Sequence, residues 1–426
     1  MTGAAAAAPA QGPDPDAAAR AGPLPLRRNR GFRMLWIGQV LSGTGTETAL
    51  IAYPLLVLTL THSPAIAGLV GTVRLVAQLI LGLPGGAISD RLDRRLTMIV
   101  CDSCRAGVLA LLAALVLLHL VTWPVVLAVA AVDGGANVLF DPSASAALPA
   151  MVADEQLERA WAATEARTYA ANLAGPALGG FLFGLGRAVP FAADAASYLV
   201  SAAAVSRIRG KFRAEPSRSR TALWREVTDG LQLAWHHPLL RAVVIQAPLI
   251  NFAFTGAIFT ITLALRRHGT APGIIGLAQA GIALGGLLGA IIAPRLQGRL
   301  PLRQLVIAMT TAGTVLFGAA ALLVPSTLVA LPVAVNVLLA PAANTALFAA
   351  MLRAAPEDMR GRVNSTVSQA AIGLSAVAPL TSGLLVEHLS GQWALAAFAT
   401  AIAVSAVMCA ALPGLGTKGT AANAGP

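Results

Sequence analysis

Twelve stretches of this sequence are each long and apolar enough to cross a lipid bilayer as an α-helix. A spanning helix needs about 20 residues at a rise of about 1.5 Å per residue, and its backbone groups are hydrogen-bonded within the segment. Barrel strands are shorter and alternate between polar and apolar residues, unlike these stretches. We therefore predict an all-α membrane protein with twelve transmembrane helices. The predicted spans are residues 34–59, 65–88, 97–119, 122–142, 160–186, 189–206, 241–265, 273–295, 302–323, 326–350, 361–386 and 392–412.

The composition excludes an ordinary soluble protein. Apolar residues make up 56% of the chain and charged residues 12%, and the mean hydropathy is +0.72, so the lipid bilayer is the expected solvent. The net charge of +11 does not indicate a nucleic-acid partner, because the basic residues lie between apolar stretches rather than together on one wet face. Residues 1–31 lack the apolar core of a secretory signal, and we expect a disordered cytoplasmic tail.

One segment of the chain is repeated. Residues 81–96, LGLPGGAISDRLDRRL, recur 204 positions later as residues 285–300, GGLLGAIIAPRLQGRL, with eight identities in sixteen positions. In each copy a Gly-rich apolar segment runs into an Arg-rich turn and then into another apolar segment. Internal duplication in a membrane protein indicates a transporter built from two related halves. The predicted division is a tail at 1–31, a first half at 32–206, a linker at 207–240, a second half at 241–412 and a tail at 413–426.

The distribution of basic residues predicts the orientation of the chain in the membrane. Three arginines, Arg187, Arg266 and Arg267, lie in turns on one side, whereas most of the other basic residues lie in the tails and in the opposite turns. Cytoplasmic segments carry the excess of Lys and Arg. We therefore expect a multi-pass protein of the plasma (inner) membrane with both termini in the cytoplasm.

The linker at 207–240 combines a basic run with a stretch of near-helical apolar spacing that includes Trp224, Val227 and Leu231. Two interpretations stay open. The stretch is either an amphipathic helix lying on the anionic inner leaflet, or a plain surface helix that joins the two halves.

Several short segments carry a resemblance to a known family. The second predicted helix ends in GGAISDRLDRR, and five other segments read SGTGTETALIAYPLL, FDPSASAALPAMV, GPALGGFL, DAASYLVSA and RGRVNS. In this order and spacing, they resemble the major facilitator superfamily and, within it, the branch that exports drugs and siderophores such as enterobactin. The matches cover most of residues 32–390.

The resemblance implies two pseudo-symmetric six-helix halves and secondary active transport by alternating access. It further implies proton-coupled efflux, by antiport, of a small amphiphilic molecule such as a drug, antibiotic or siderophore, as in multidrug resistance. We expect a functional monomer with no cofactor. No phosphate-binding GxxxxGK[ST] loop and no convergent catalytic set is found in the sequence, so an enzyme is not expected. Proton-coupled uptake, or a non-transporting membrane enzyme or sensor on the same fold, are the alternatives.

The repeated turn predicts a cytoplasmic gate. Asp90 can accept hydrogen bonds from the free N–H groups that begin a neighbouring helix, and the family implies that this neighbour is helix 11. Arg94 or Arg91 can pair with Asp141 at the end of helix 4. The alternative is that these arginines only fix the topology. The predicted gate residues are Asp90, Arg91, Arg94, Arg95, Asp141, and a pair formed within helix 3 by Asp102 and Arg105.

Helix 5 carries Gly175-Pro176 followed by Gly179-Gly180. The proline removes one helical hydrogen bond and the glycines allow another helix to approach closely. In the superfamily this pattern resembles an antiporter signature, which implies export against proton entry. Close packing with no bearing on the direction of transport is the competing explanation.

Four ionisable residues lie inside predicted spans, where such residues are costly and usually functional. They are Glu47, Arg74, Asp133 and Asp194. The first three lie roughly 14–17 Å from the outer ends of their helices, counted at 1.5 Å per residue, so Arg74 can neutralise either acid. We expect protonation of Glu47 or Asp133 to exchange for cargo. The alternative is a structural ion pair, and Asp194 is placed near the outer end, within reach of water.

Sparse polar groups on helices 1, 7 and 10 are expected to face an apolar chamber suited to an amphipathic cargo. No metal site is predicted, because Cys101 and Cys104 form a lone CxxC without a second pair or a neighbouring histidine. The candidate cavity residues are Thr44, Thr48, Gln246, Asn251, Thr255, Asn336 and Asn344.

Overall fold

The computed structural model describes residues 25–89, 92–208, 231–356 and 359–411. Twelve long helical segments follow one another in this part of the chain, and the eleventh is interrupted at residues 376–377. The helices are α1 Arg30–Thr61, α2 Pro64–Ser89, α3 Arg94–Leu117, α4 Trp123–Ala147, α5 Leu157–Leu185, α6 Val189–Ser206, α7 Pro238–Arg267, α8 Pro272–Gln297, α9 Leu302–Leu323, α10 Ala330–Ala354, α11a Arg360–Ser375, α11b Ala378–His388 and α12 Gly391–Ala411.

The prediction of an all-α membrane protein is confirmed. Within the described residues, 11 helical segments are long and apolar enough to cross a membrane. The remaining one, α5, has 29 residues, but Glu165 and Arg167 make its first half more polar. Helix α4 ends on one side of the bundle and α6 begins on the other, so α5, which connects them, must also cross the membrane. Within each group of six, short connections make successive helices antiparallel. They define two sides of the bundle: the tail side, where α1 begins and α12 ends, and the far side, where α1 ends and α2 begins.

The helices pack as two groups of six with matching neighbours. In the first lobe, α1 to α6, α1 contacts α5 and α6, α3 contacts α4 and α6, and α2 contacts α4. In the second lobe, α7 to α12, the same pairs recur six helices later. The main contacts between the lobes are α2 with α11 and α5 with α8. Exchanging each helix for its counterpart six positions away turns one of these contacts into the other. The packing therefore follows the internal duplication seen in the sequence.

The repeated turn contributes to this packing through its glycines and its aspartate. Gly289 in α8 lies where a Cβ would meet the Leu338 carbonyl of α10, so only glycine permits this approach. Asp93, in the first copy, caps α3, because its carboxylate accepts a hydrogen bond from the Leu96 N–H at 3.1 Å. The cap explains why α3 begins at Arg94 rather than three residues later, where the span was predicted.

The end of the linker packs on the second lobe. Residues 231–236 are helical, and Ala234 is buried in a cluster with Leu240 and Met351. Leu231 and Trp235 are exposed. Trp224, Val227 and the basic run from Arg209 to Arg225 lie outside the described residues, as do residues 1–24 and 412–426. Both interpretations of the linker and the exact domain boundaries therefore stay predictions.

Candidate transport site

Asp133 of α4 binds two arginines inside the first lobe. Its carboxylate lies 3.1 Å from Arg74 Nε of α2 and 2.8 Å from Arg105 Nε of α3. These are the salt bridges of the described residues, and Asp133 is 1% exposed. Burying one carboxylate with two guanidinium groups is tolerated only because each ion is paired and hydrogen-bonded. Asp133 therefore ties α2, α3 and α4 together.

Arg105 extends this network to α1 and α6. Its Nη1 donates to Asn137 Oδ1 at 3.2 Å and its Nη2 lies 3.4 Å from Thr46 Oγ1. The guanidinium also stacks over the Tyr198 ring, 4.1 Å from its centroid, and the Tyr198 and Thr46 hydroxyls are 2.7 Å apart. A planar guanidinium with five donors suits such a junction. The network therefore joins five helices of the first lobe: Arg105 links α3 to α1, α4 and α6, and Asp133 links them to α2.

The predicted pairing of Asp102 with Arg105 is wrong. Although the two residues are three apart on α3, the Arg105 guanidinium binds Asp133 of α4 and stacks on the Tyr198 ring, and so does not pair with Asp102. Asp102 is fully buried and takes part in neither salt bridge of the described chain. Arg105 thus belongs to the buried network rather than to a gate.

A central cavity of about 600 Å³ lies between the lobes. Glu47 and Arg74 are the charged side chains on its described wall, and both come from the first lobe. The rest of the wall is mostly apolar and aromatic and includes Tyr53, Phe254 and Phe259. A large apolar chamber with few polar groups suits an amphipathic small molecule.

The structure places two of the seven predicted cavity residues, Thr255 and Asn344, on this wall. The other five do not line this cavity, and their side chains donate to backbone carbonyls. Depth along a helix does not determine which face a residue occupies. Their acceptors are the Val40 carbonyl for Thr44, the Gly175 carbonyl for Thr48, the Ser405 carbonyl for Gln246, the Ala247 carbonyl for Asn251 and the Met309 carbonyl for Asn336. Polar cavity residues that the sequence did not single out are Tyr53, Tyr169, Asn172, Thr262, Gln279 and Thr345.

Two smaller pockets continue from the central cavity toward the tail side. The first, of about 270 Å³, shares Glu47 and Arg74 with the central cavity and is also lined by Asp141. The second, of about 210 Å³, shares Asp141 with the first and reaches Trp36 near the start of α1. Two adjacent pockets that share lining residues therefore extend from Glu47 toward the tail side.

The predicted pairing of Arg94 with Asp141 is not formed. Arg94 Nη1 donates to the Ala146 carbonyl at 3.0 Å, and Arg95 donates to the Ser206 carbonyl. Both arginines thus bind free carbonyls at helix C-terminal ends, where a cation is favoured. Asp141 instead accepts a hydrogen bond from Asn137 Nδ2 at 2.9 Å. Asp90 and Arg91 lie outside the described residues, so the contact of Asp90 with helix 11 stays a prediction.

Asp194 is not within reach of bulk water, contrary to the prediction. It is fully buried, and Ser197 Oγ donates to its Oδ1 at 3.2 Å. The reason is Gly45 of α1, because a Cβ at that position would collide with the Asp194 carboxylate. Helix α1 therefore lies directly over the carboxyl group and covers it.

The glycines of α5 serve two different contacts. A Cβ at Gly175 would collide with Glu47 of α1, and one at Gly179 would collide with the Thr48 backbone. These two glycines let α5 pack against α1 within the first lobe. A Cβ at Gly180 would instead meet the Pro272 carbonyl of α8, in the second lobe. One motif thus positions Glu47 and also brings the two lobes into contact.

The lobes are closed against each other on the far side. Glu387 at the end of α11b accepts hydrogen bonds from Ser63 Oγ at 2.5 Å and from the Ala65 N–H at 2.8 Å. The Leu380 N–H donates to Thr72 Oγ1 at 3.0 Å. A carboxylate at the N-terminus of a helix is favoured by the free N–H groups and by the helix dipole. Glu387 therefore caps α2 from the opposite lobe.

We expect Glu387→Gln to weaken far-side closure. A hydrogen bond to a charged group contributes about 1.5–3 kcal/mol, so losing the charge shifts the equilibrium toward the open far side by roughly tenfold. The measurement is the rate at which a membrane-impermeant maleimide labels Thr262→Cys on the cavity wall from the far side, in a background without the three native cysteines. Glu158→Gln, at an exposed position of α5, is the control. An unchanged labelling rate contradicts the role of Glu387.

The described residues contain no group of three or more His, Cys, Asp and Glu side chains arranged to hold a metal ion. Cys101 and Cys409 are buried free thiols and Cys104 is an exposed one. The charged side chains that line the three pockets are Glu47, Arg74, Arg105, Asp141, Glu165 and Arg167.

Two six-helix lobes around a central cavity with a charged wall define a multi-pass membrane transporter rather than an enzyme. Residues 35–375 match the family model described as the Major Facilitator Superfamily. The chain belongs to this superfamily, so its substrate is a small molecule. The resemblance predicted from the sequence motifs is confirmed at this level.

The individual relatives share less than a third of their residues with this chain. The chain is 27% identical over 363 residues to a multidrug efflux pump, Tap, of Mycolicibacterium fortuitum, a match that covers 81% of this chain and 87% of the relative. Among solved structures, a mutant of the nucleoside transporter NupG has a TM-score of 0.71 at 13% identity, covering 90% of this chain and 99% of its own. A bacterial homologue of the human lysosomal transporter Spinster also has a TM-score of 0.71, at 14% identity, covering 91% and 97%. These structures support the fold alone.

Proposed function

We propose that this protein is a proton-driven exporter of small amphiphilic molecules such as drugs, antibiotics or siderophores. The placement of Glu47 carries the proposal. Glu47 and Arg74 both line the central cavity and the pocket of about 270 Å³ on its tail side. The relative described as a multidrug efflux pump supports efflux as the direction.

The exchange follows from the electrostatics of this wall. Arg74 is held by Asp133, so Glu47 is the acid on the cavity wall that does not have a salt bridge in the described structure. With Glu47 ionised, the cavity favours cargo that is cationic or donates hydrogen bonds. Protonation of Glu47 removes that charge and releases the cargo. Proton and cargo therefore compete for one position as the lobes rock around the cavity.

The orientation gives this cycle its direction. Segments on the tail side carry the excess of arginine, so by the positive-inside rule this side faces the cytoplasm. The proposed exporter is a monomer in the plasma (inner) membrane. Far-side closure through Glu387 then corresponds to a state whose cavity communicates with the cytoplasm. In this state an exporter binds cargo and releases its proton.

Everted membrane vesicles test the proposal. With an acidic lumen, the wild-type protein is expected to concentrate at least one of ethidium, acriflavine and an iron-free catecholate siderophore inside the vesicles. Glu47→Gln should lower this gradient-driven accumulation by about tenfold or more, because it removes the exchanging proton. Glu158→Gln, exposed on α5, should leave accumulation unchanged.

Other outcomes distinguish the alternatives. Gradient-driven loss of a compound from the vesicles indicates uptake rather than export. The absence of any gradient-dependent movement contradicts coupling to protons. Full coupling in Glu47→Gln, with the protein present in the membrane, refutes the assignment of Glu47.

A further inference from the structure

Asp141 lies on a face of α4 that begins at the buried network. Asp133, Asn137 and Asp141 are spaced four residues apart and therefore lie on one side of the helix. Arg105 donates to Asn137, and Asn137 donates to Asp141 at 2.9 Å. This series of hydrogen bonds holds the Asp141 carboxylate in place without neutralising it. The exchange at Glu47 does not use Asp141.

The pockets put Glu47 and Asp141 in one water-accessible space. The pocket of about 270 Å³ is lined by both carboxylates, and the next pocket, of about 210 Å³, is lined by Asp141, Trp36 and Arg167. Each volume is several times the roughly 30 Å³ that one water molecule occupies in the liquid. Asp141 is an exposed residue even though it lies inside the bundle. It therefore stands between the pocket that reaches Glu47 and the one that reaches the tail side.

The charges around Asp141 favour a carboxylate that accepts a proton and passes it on. Asp133 is unsuited to this role, because two guanidinium groups bind it directly. Asp141 faces guanidinium groups across the pockets without a direct salt bridge in the described structure. The charged groups that face it from the packed elements are Glu47 of α1, Arg74 of α2, Asp102 and Arg105 of α3, and Glu165 and Arg167 of α5.

We propose that Asp141 is the proton-release residue of the transport cycle, an inference that rests on the proposed proton exchange at Glu47. The Glu47 carboxyl gives its proton to pocket water while that water chain gives a proton to the Asp141 carboxylate. Asp141 then gives its proton to water in the tail-side pocket. One proton moves from Glu47 to the tail side and both carboxyl groups return to the ionised form.

The test separates proton release from cargo movement. Reconstituted full-length protein is assayed with ethidium in two ways: net transport driven by a proton gradient, and exchange of labelled for unlabelled ethidium without a gradient. Exchange needs only cargo binding and rocking of the lobes. We expect Asp141→Asn to slow net transport by about tenfold or more and to leave exchange within about twofold of wild type. Its net transport should also shift its optimum to higher pH on the tail side.

Two variants complete the experiment. Asp141→Glu keeps a carboxyl group and should restore net transport, and Asp154→Asn, at an exposed tail-side position, should behave as wild type. Equal loss of net transport and exchange in Asp141→Asn shows a structural role and overturns the inference, as does unchanged net transport. If wild type moves ethidium by exchange but not in response to a gradient, the proposed proton coupling fails, and the inference fails with it.

Discussion

Replacing Asp133 by Asn is expected to destabilise the first lobe by about 3–5 kcal/mol, the cost of removing one partner from a buried ion pair. The substitution keeps the shape of the side chain, so the packing of α2, α3 and α4 is preserved. It leaves Arg74 and Arg105, 7% and 2% exposed, without the carboxylate that binds both. The measurement is the thermal unfolding midpoint of the purified protein in detergent, followed by intrinsic tryptophan fluorescence.

Single arginine variants test the same network from the other side. Arg105→Gln should destabilise the protein more than Arg74→Gln, because Arg105 also contacts Asn137, Thr46 and the Tyr198 ring. Asp154→Asn, at an exposed position, serves as the control for loss of one carboxylate. A midpoint of Asp133→Asn equal to that of this control would show that the buried pairs do not stabilise the fold.

The helices were largely predictable from the sequence, because span length and apolarity are imposed by the bilayer itself. The predicted first span, 34–59, lies within α1, Arg30–Thr61. The eleventh span was predicted as one helix, 361–386, but it is divided into α11a and α11b. Pro379 stands at the start of α11b and lacks the N–H that a continuous helix needs. Internal prolines do not interrupt α1, α4, α5, α7, α8 or α10, so neither hydropathy nor proline position alone locates the break.

The buried network was predictable only in part. Counting residues from the far-side ends placed Arg74 and Asp133 at one depth, and the structure joins them. Arg105 was assigned to the gate, although it lies eleven residues beyond Arg94, or roughly 16 Å into α3 at 1.5 Å per residue. The same count, made from the tail-side end, places Arg105 inside the membrane. Both arginines bind Asp133 only because α2, α3 and α4 are rotated about their axes so that these side chains face one another. Neither depth nor composition determines that rotation.

Gly180→Val is expected to abolish nearly all transport while leaving the protein folded. A Cβ at Gly180 meets the Pro272 carbonyl and the Gly276 backbone of α8, so the larger side chain forces the two lobes apart at the α5–α8 contact. Overpacking against backbone costs about 3 kcal/mol, which lowers the population of the far-side-closed state by roughly a hundredfold. Each lobe keeps its own packing, since Gly175 and Gly179, rather than Gly180, contact α1.

Gly184→Val provides the matched control, one turn further along α5. A Cβ at Gly184 has no atom within 4 Å, so the same substitution should leave transport within about twofold of wild type. The measurements are gradient-driven ethidium accumulation in everted vesicles and maleimide labelling of Thr262→Cys from the far side, which should increase in Gly180→Val. Normal transport by Gly180→Val contradicts the requirement for close α5–α8 contact. Equal loss of transport in both variants shows that valine disrupts α5 itself, and contradicts a specific role of the Gly180 contact with α8.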